Sequence, residues 1–411
     1  MRQAFLYIDP GTGSMLFSLF MALATTAVFV GRELLIRLKF ILSGGRAKKA
    51  DSKRIPYVIY SDHKRYWNVF KPVCDEFERR GIDVVYYTQS PDDPALSELY
   101  KHVRAEFIGE GNKGFARLNF LKADVVLSTT PGLGVYQWKR SRDVKWYVHI
   151  LHMASDPSTY RMFGLDCYDA VMLTGPYQEG QIRSLEEMRG IPAKELPVIG
   201  CTYMDTLKAR LDAMHEYGRN ESGDKRILLA PSWGSSGILS RYGGKIIDSL
   251  LATGYKLVVR PHPQSFTVEK PLLDKLMALY PDSDRLEWNM DNDNFSVLHA
   301  SDILITDFSG IILDYALVFR KPVIYADTAF DPAPYDAAWI SNPPWIFEIL
   351  GKIGVRLDET DFPRMKVIID SAIVSSTLDF GRDLVCSECW SNIGSSSSHA
   401  VDYLIAKQSS L

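Results

Sequence analysis

The chain is poor in cysteine, with only five thiols scattered over 411 residues. An odd, widely spaced set of this kind excludes a disulfide framework and indicates a reducing compartment. The sequence also lacks an excess of charge of either sign, since its net charge is −3. No basic field would attract nucleic acid, so nucleic acid is not an expected partner.

The N-terminal region lacks charge where it is most hydrophobic. Residues 15–30 carry no charged side chain, and the basic residues cluster after this run, at 32–49, with only Arg2 before it. A secretory signal peptide has the reverse order, and the length suits a short membrane span. We expect an uncleaved, single-pass anchor in the inner (cytoplasmic) membrane, with the later residues cytoplasmic by the positive-inside rule. A buried hydrophobic helix is the alternative.

The rest of the chain has the composition and rhythm of a globular α/β protein. Its length suffices for about two domains, and short apolar runs alternate with segments of helical period. This alternation predicts two doubly wound, Rossmann-like domains behind an N-terminal transmembrane helix. The expected boundaries are an anchor at 1–42, a basic linker at 43–54, a first domain at 55–206, an interdomain segment at 207–224, and a second domain at 225–411 that includes a C-terminal helix.

Residues 301–325 read as strand, turn, helix and strand, and the turn is the first candidate site. Asp307 and Ser309 can cap the helix, and both are candidate ligand-binding residues together with Gly310. Ser309 and Gly310 can offer backbone N–H groups at its positive end, which is a suitable place for a phosphate. An ordinary capped turn would use the same residues.

Two more turns, at 231–237 and 260–263, follow other predicted strands of the same domain. Ligands of open α/β sheets bind at the carboxyl ends of the strands. The three turns together could bind a nucleotide diphosphate and stabilise charge developing on phosphorus. The candidate ligand-binding residues of the two added turns are Ser232, Ser235, Gly237, Arg260 and His262.

In the first domain, the strand at 145–148 leads into His149 and His152. If the strand persists to His152, alternation places these two histidines on opposite sides, with one packed inside and the other at the edge. His152 lies further out and is the better candidate for a general base. A structural histidine is the alternative.

Metal-binding signals are weak. Cys386 and Cys389 form a single CxxC pair, while a zinc site needs about four ligands, so incidental thiols are expected. Asp291 and Asp293 precede a short helix and are expected to form a capping cluster. No metal and no cofactor are therefore expected.

Several segments together resemble the CDP-glycerol glycerophosphotransferase family, which includes teichoic acid polymerases and primases. The stretch SDILITDFSGIILDYALVFRKPVIY at 301–325 is similar to a family phrase in which LITDYSS is followed by an acidic helix, KP and a strand. LLAPSWGSSG, VVRPHP, HMASD and YDAVMLTGPYQ are similar to other family elements and occur in the expected order. The resemblance covers roughly residues 144–325.

The resemblance implies a GT-B-like pair of domains with the active site in the cleft and no metal at the phosphates. It implies transfer of a polyol phosphate from a CDP-polyol donor to a hydroxyl of a lipid-linked glycan or another membrane-linked acceptor, with release of CMP. The most frequent donor in the family is CDP-glycerol.

The resemblance also implies roles for individual residues. His152 would be the base acting on the acceptor, and His262, assisted by Arg260, would contact the donor phosphates. The implied pyrophosphate cradle consists of Thr306, Ser309 and Gly310, with Asp314 nearby. Two positions depart from the family pattern: Gly310 replaces a second serine, and Leu151-His152-Met153 replaces Trp-His-Gly.

Two other functions fit the same pattern. A GT-B glycosyltransferase that uses a sugar nucleotide would have the same fold and cleft. A membrane-tethered binding protein could retain the fold without catalysis.

Overall fold

The computed structural model describes residues 54–215, 225–326 and 328–411. The predicted anchor, nearly all of the basic linker and the end of the interdomain segment lie outside these residues. Arg54–Leu411 forms one compact unit. Within the described ranges, no helix has both the length and the apolar character needed to cross a membrane.

The N-terminal half of this unit is built on a six-stranded sheet in the order β3-β2-β1-β4-β5-β6, with neighbouring strands parallel. Its central strands are apolar on both faces because helices cover both sides of the sheet. The strands are β1 Ile55–Ser61, β2 Val84–Thr88, β3 Val103–Phe107, β4 Ala123–Ser128, β5 Val144–Ile150 and β6 Ala170–Met172.

The C-terminal half repeats this plan with a second parallel sheet in the order β12-β11-β10-β7-β8-β9. Each sheet has an apolar core on both faces. The prediction of two doubly wound α/β units is confirmed. The strands are β7 Arg226–Leu229, β8 Lys256–Val259, β9 Leu286–Trp288, β10 Ile303–Thr306, β11 Val323–Ala326 and β12 Val355–Leu357.

Helices connect the strands and cover both faces of each sheet. The first α-helix of the described residues, Trp67–Arg80, ends where Gly81 adopts a left-handed conformation with φ of 67°, as is common at helix ends. The other α-helices are Asn112–Asn119, Gln178–Arg189, Thr202–His215, Ile238–Tyr242, Gly244–Leu251, Ser265–Val268, Lys270–Leu279, Phe295–Ala300, Ile311–Leu313, Trp345–Ile353, Met365–Val374, Asp379–Cys389 and Ser396–Ser410. The short helix Ile311–Leu313 continues as a π-helical turn over Asp314–Val318.

The sequence analysis missed β3 and β12, which are edge strands of the two sheets. Edge strands are covered on fewer sides, so their sequences lack the continuous apolar run of a central strand. Most residues of β3 and β12 are indeed only half-buried or exposed. Residues 197–199 form no strand but contribute an isolated bridge between Leu173 and Val198.

The C-terminal helix Ser396–Ser410 was grouped with the second domain, but it packs on the first sheet. Ala400 and Leu404 are buried in the core between this sheet and helix Trp67–Arg80. Arg80 also donates a hydrogen bond of 2.9 Å to the Ser398 hydroxyl. The chain thus returns to its first half, because apolar surface of this helix is buried there.

Buried contacts join the two halves near the cleft. The Asp156 carboxylate accepts hydrogen bonds from the backbone N–H groups of Trp345 at 2.7 Å and Ile346 at 3.0 Å. It therefore caps a helix that belongs to the other half. Tyr177 stacks on Trp345 with ring centroids 3.9 Å apart. These contacts hold the loop that follows His152 against the second half.

Candidate active site

Loops from both sheets form the candidate site. In the second sheet, β10, β7 and β8 are neighbours, so their parallel carboxyl ends bring residues 307–310, 230–237 and 260–263 to one edge. In the first sheet, β1, β4 and β5 are also neighbours. The loops that follow these strands carry Arg65, Thr129 and His152.

His152 is half-buried, and hydroxyl groups hold one of its ring nitrogens. Its Nδ1 lies 3.2 Å from Thr129 Oγ1 and 3.2 Å from the Tyr160 hydroxyl. The ring of Tyr66 packs beside it, with centroids 5.1 Å apart. If Nδ1 donates to one of these oxygens, Nε2 carries the lone pair and can accept a proton.

His149 is fully buried. Its Nε2 lies 3.2 Å from the same Tyr160 hydroxyl that contacts His152. Strand alternation does not extend to His152, because β5 ends at Ile150. The buried His149 and the half-buried His152 still agree with one packed histidine and one at the edge. The sequence analysis missed Tyr160, which bridges the two rings and orients the more exposed one.

Arg65 is the main site residue that the sequence analysis missed. It lies in the turn Lys64–Tyr66 directly after β1. Burial is the first cause that lowers the pKa of His152, to about 4, and the Arg65 charge is the second. The Nε of Arg65 is buried and has no hydrogen-bond partner among the described residues. A guanidinium beside a catalytic candidate, with a donor to spare, is suited to an anionic oxygen.

The charge of Arg65 also acts on His262. Its pKa is lowered to about 4 by burial first, then by the charges of Arg65 and Arg260. Its Nδ1 accepts a hydrogen bond of 3.1 Å from the backbone N–H of Gln264. The neutral ring therefore carries its proton on Nε2, and His262 is a hydrogen-bond donor for a ligand.

Arg260 lies at the side of the site and is already engaged. It donates to the Asn289 side chain and, at 2.8 Å, to the carbonyl oxygen of Asp291. These bonds hold its positive charge next to His262, in agreement with an assisting role.

Asp307 does not face a ligand. It is fully buried, and its carboxylate accepts hydrogen bonds from the backbone N–H groups of Ser232 at 2.9 Å, Ile238 at 3.1 Å and Ser309 at 3.0 Å. Its assignment as a ligand-binding residue is corrected: it ties two of the turns together. The buried carboxylate thereby sets the position of Ser309.

Thr306 and Asp314 are also displaced from the predicted cradle. Thr306 is fully buried, and its hydroxyl donates to the Ala230 carbonyl oxygen at 2.7 Å. Asp314 is only 5% exposed, and burial raises its pKa to about 8. It lies near Cys201 and Tyr203 instead. Both side chains point into the protein, because a strand end and a packed helix leave them no open side.

At this turn, an anion can still be bound by the Ser309 hydroxyl and by the first N–H groups of the following helix. The N–H of Ser309 is used by Asp307, so Gly310 and Ile311 supply the donors that a helix start leaves unpaired. In the neighbouring turn, Gly237 is required for close packing, since a Cβ there would lie 2.6 Å from the Ser232 carbonyl oxygen. Ser235 is exposed on the outside of that turn.

Gly310 and Met153 lie against each other across the two halves. A Cβ at Gly310 would lie 2.6 Å from the Met153 sulfur, which comes from the opposite half of the protein. The sequence departs from the family pattern at these same two positions, with glycine in place of serine and methionine in place of glycine. The two departures are complementary, because the space given up at one residue is used by the other.

We expect the Gly310→Ala substitution to lower the free energy of unfolding by about 1 kcal/mol, because it forces Met153 to move. In the Met153→Ala background the same change is expected to raise it by about 0.5 kcal/mol, since Gly310 has helical backbone angles and alanine loses less chain entropy. Urea unfolding of the four proteins measures this cycle. Additive effects of the two substitutions would contradict the contact.

The two facing α/β units, with histidines and an arginine at their strand ends, define a GT-B-like architecture with a site suited to phosphate transfer. Residues 175–338 match the family model of the CDP-glycerol:poly(glycerophosphate) glycerophosphotransferases. This match confirms the predicted family resemblance over that range. The matched range contains the three turns of the second sheet but excludes His152 and Arg65.

A known relative is similar to part of the chain. The chain is 27% identical over 134 residues to the minor teichoic acid biosynthesis protein GgaB of Bacillus subtilis (strain 168). That match covers 26% of this chain and 14% of GgaB, so the chain spans only a small part of this relative.

Solved structures show the same fold. The wall teichoic acid polymerase TagF, in a crystal soaked with CDPG, is similar with a TM-score of 0.57 at 14% identity, over 93% of this chain and 98% of that chain. A UDP-GlcNAc 2-epimerase from Neisseria meningitidis, bound to UDP-GlcNAc, has a TM-score of 0.52 at 15% identity, over 86% of this chain and 100% of that chain.

Proposed function

We propose that the protein transfers glycerol phosphate, or a related polyol phosphate, from a CDP-polyol donor to a hydroxyl of a glycan or lipid acceptor and releases CMP. One observation carries this proposal. Arg65 acts on both His152 and His262, so residues from the two sheets converge on one small region. The family match at 175–338 supports CDP-glycerol as the donor.

The second sheet holds the donor pyrophosphate in this proposal. The hydroxyl of Ser309 and the N–H groups of Gly310 and Ile311 bind one phosphate at the helix start. The Nε2–H of His262 donates to an oxygen of the other phosphate, and the Arg260 charge adds to the positive potential. Arg65 reaches the same oxygens from the opposite sheet, so the donor is held from both sides.

The chemical step is a displacement at the phosphorus that carries the glycerol. An acceptor oxygen forms the new bond to this phosphorus, and the bond from phosphorus to the bridging oxygen breaks. CMP leaves with that oxygen and its electron pair. His152 Nε2 takes the acceptor proton, and Arg65 and His262 stabilise the charge that grows on the phosphoryl and leaving oxygens.

A membrane-linked acceptor and a membrane location for the enzyme are part of this proposal. The uncharged run at 15–30 and the basic residues behind it support them. The catalytic halves would then face lipid-linked glycans on the cytoplasmic side. Fractionation of cells under alkaline carbonate checks this: protein that stays with the membranes supports an anchor, and protein that is washed off contradicts it.

Binding and turnover with CDP-glycerol test the proposed function. At 100 times its Kd, CDP-glycerol is expected to stabilise the protein by ~2.7 kcal/mol, which raises the melting temperature. Release of CMP, measured by chromatography, is expected when a lipid-linked glycan is added. If UDP-sugars stabilise the protein and CDP-glycerol does not, the sugar-nucleotide alternative is correct. If neither has an effect, the non-catalytic alternative gains support.

A further inference from the structure

A cavity of about 320 Å³ lies beside the candidate site and has no role in the steps above. It is open on one side and lies between the turn after β7, the loop around Phe330 and a segment of the first half. Its polar and aromatic lining includes Trp233, Ser235, Ser236, Asp331, Tyr335 and Arg161. Phe308, the residue before Ser309, lines it as well, so the cavity adjoins the phosphate turn.

The lining is typical of a site for hydroxyl-rich ligands. The rings of Trp233 and Tyr335 are in contact, with centroids 6.5 Å apart, and offer flat apolar surface to C–H groups. Asp331 and Arg161 both act electrostatically on the Tyr335 hydroxyl, so a carboxylate and a guanidinium lie near the same ring. Hydroxyl groups can donate to the first and accept from the second. A phosphate would be repelled by the Asp331 carboxylate.

The cavity is also linked to both histidines. The ring centroids of Trp233 and His262 lie 6.3 Å apart. Arg161 directly follows Tyr160, whose hydroxyl contacts His152 Nδ1.

The two halves meet at this point. Arg161 and Tyr335 form an antiparallel bridge, and the Asp336 N–H donates to the Tyr160 carbonyl oxygen at 2.9 Å. A ligand in the cavity would therefore contact the segment that positions the catalytic base.

We propose that this cavity is the subsite for a sugar unit of the acceptor, which it holds by aromatic packing and by hydroxyl contacts to Asp331 and Arg161. The proposal rests on the proposed function, because it treats His152 as the base that takes the acceptor proton. The cavity volume equals about ten water molecules at ~30 Å³ each, which exceeds what the glycerol of the donor needs. A sugar ring makes use of this space, and its neighbouring hydroxyl would then approach His152.

The test measures sugar binding and donor binding separately. Methyl β-D-glucopyranoside and methyl N-acetyl-β-D-glucosaminide serve as sugar probes, observed by saturation-transfer NMR on the full-length protein. CDP-glycerol binding is measured by thermal shift. Arg161→Gln removes the cationic donor, and Val268→Trp fills the cavity from its exposed rim without cutting into the core. Arg104→Gln is the matched control, since Arg104 is exposed on β3 and pairs with Glu106.

We expect at least one sugar probe to bind the unmodified protein. Both cavity variants should weaken that binding about tenfold and leave the CDP-glycerol shift unchanged, and Arg104→Gln should change neither. If no probe binds the unmodified protein, or if the variants lose CDP-glycerol and keep the sugar, the subsite assignment is overturned. If sugars bind as expected but CDP-glycerol does not bind at all, the proposed function fails while the sugar subsite stands.

Discussion

Replacement of His152 by glutamine is expected to lower kcat for CMP release by about 10²–10⁴-fold, the usual contribution of general acid–base catalysis. Glutamine keeps polar atoms near Thr129 and Tyr160 but has no nitrogen that accepts a proton. KM for CDP-glycerol should change little, because His152 is not among the residues that hold the donor. Steady-state kinetics with a fixed acceptor concentration measures both constants.

The pH profile gives a second readout for the same residue. Burial and the Arg65 charge lower the pKa of His152 to about 4. Above this value the ring is neutral and can accept a proton, and below it the ring is charged and cannot. We expect kcat/KM of the unmodified enzyme to stay level down to about pH 5 and to fall below it.

His102→Gln is the matched control for His152. His102 lies before β3, at the opposite edge of the sheet, and its Nδ1 is 2.9 Å from the Asp83 carboxylate. This variant should keep the full rate. A His152→Gln enzyme with an unchanged rate would exclude His152 as the base and would favour a base outside the residues discussed above.

Replacement of Arg65 by glutamine has the second-largest expected effect, a loss of about 10²–10³-fold in kcat/KM. The magnitude is that of removing one donor that stabilises charge in the transition state. Arg65→Lys should recover only part of the rate, because an ammonium keeps the charge but not the forked geometry of the guanidinium. Kinetics of the three proteins, at saturating and limiting CDP-glycerol, separates binding from catalysis.

The pKa values of the histidines provide an independent check on Arg65. Its charge contributes to the lowered pKa of both His152 and His262, so both values should rise in Arg65→Gln. NMR titration of the imidazole resonances would show this shift. Lys64→Gln is the matched control from the same turn, since Lys64 pairs with Asp92 at the surface. Unchanged histidine pKa values in Arg65→Gln would show that the guanidinium lies elsewhere in solution.

Sequence periodicity predicted the central strands of both sheets well. β1, β4 and β10 are continuous apolar runs, because helices cover them on both faces. The edge strands β3 and β12 were missed because a partly exposed strand has a weaker pattern. The C-terminal helix Ser396–Ser410 was assigned to the wrong half, since periodicity shows that a helix has an apolar face but not which sheet will cover it.

The same limit applies to the candidate site. Residue type and position at a strand end were enough to select His152, His262 and Ser309. They did not reveal which polar side chains form hydrogen bonds inside the protein. Asp307 and Thr306 were therefore predicted to contact a ligand. Arg65 was missed because its turn, unlike the others, carries no motif. Its role depends on the distance to two histidines that are far away in sequence.

The residues at 301–325 and the α/β alternation determined by themselves the fold class, the family resemblance and the edge of the sheet where a ligand is expected. These properties follow from local periodicity and from the parallel direction of neighbouring strands. Only the tertiary structure showed that the Arg65 charge acts on both histidines, that Asp307 connects two turns by hydrogen bonds, and that Gly310 leaves space for Met153. Each of these depends on contacts between segments that are distant in sequence. Asp307 connects turns of one sheet, and the other two interactions arise where the two halves meet.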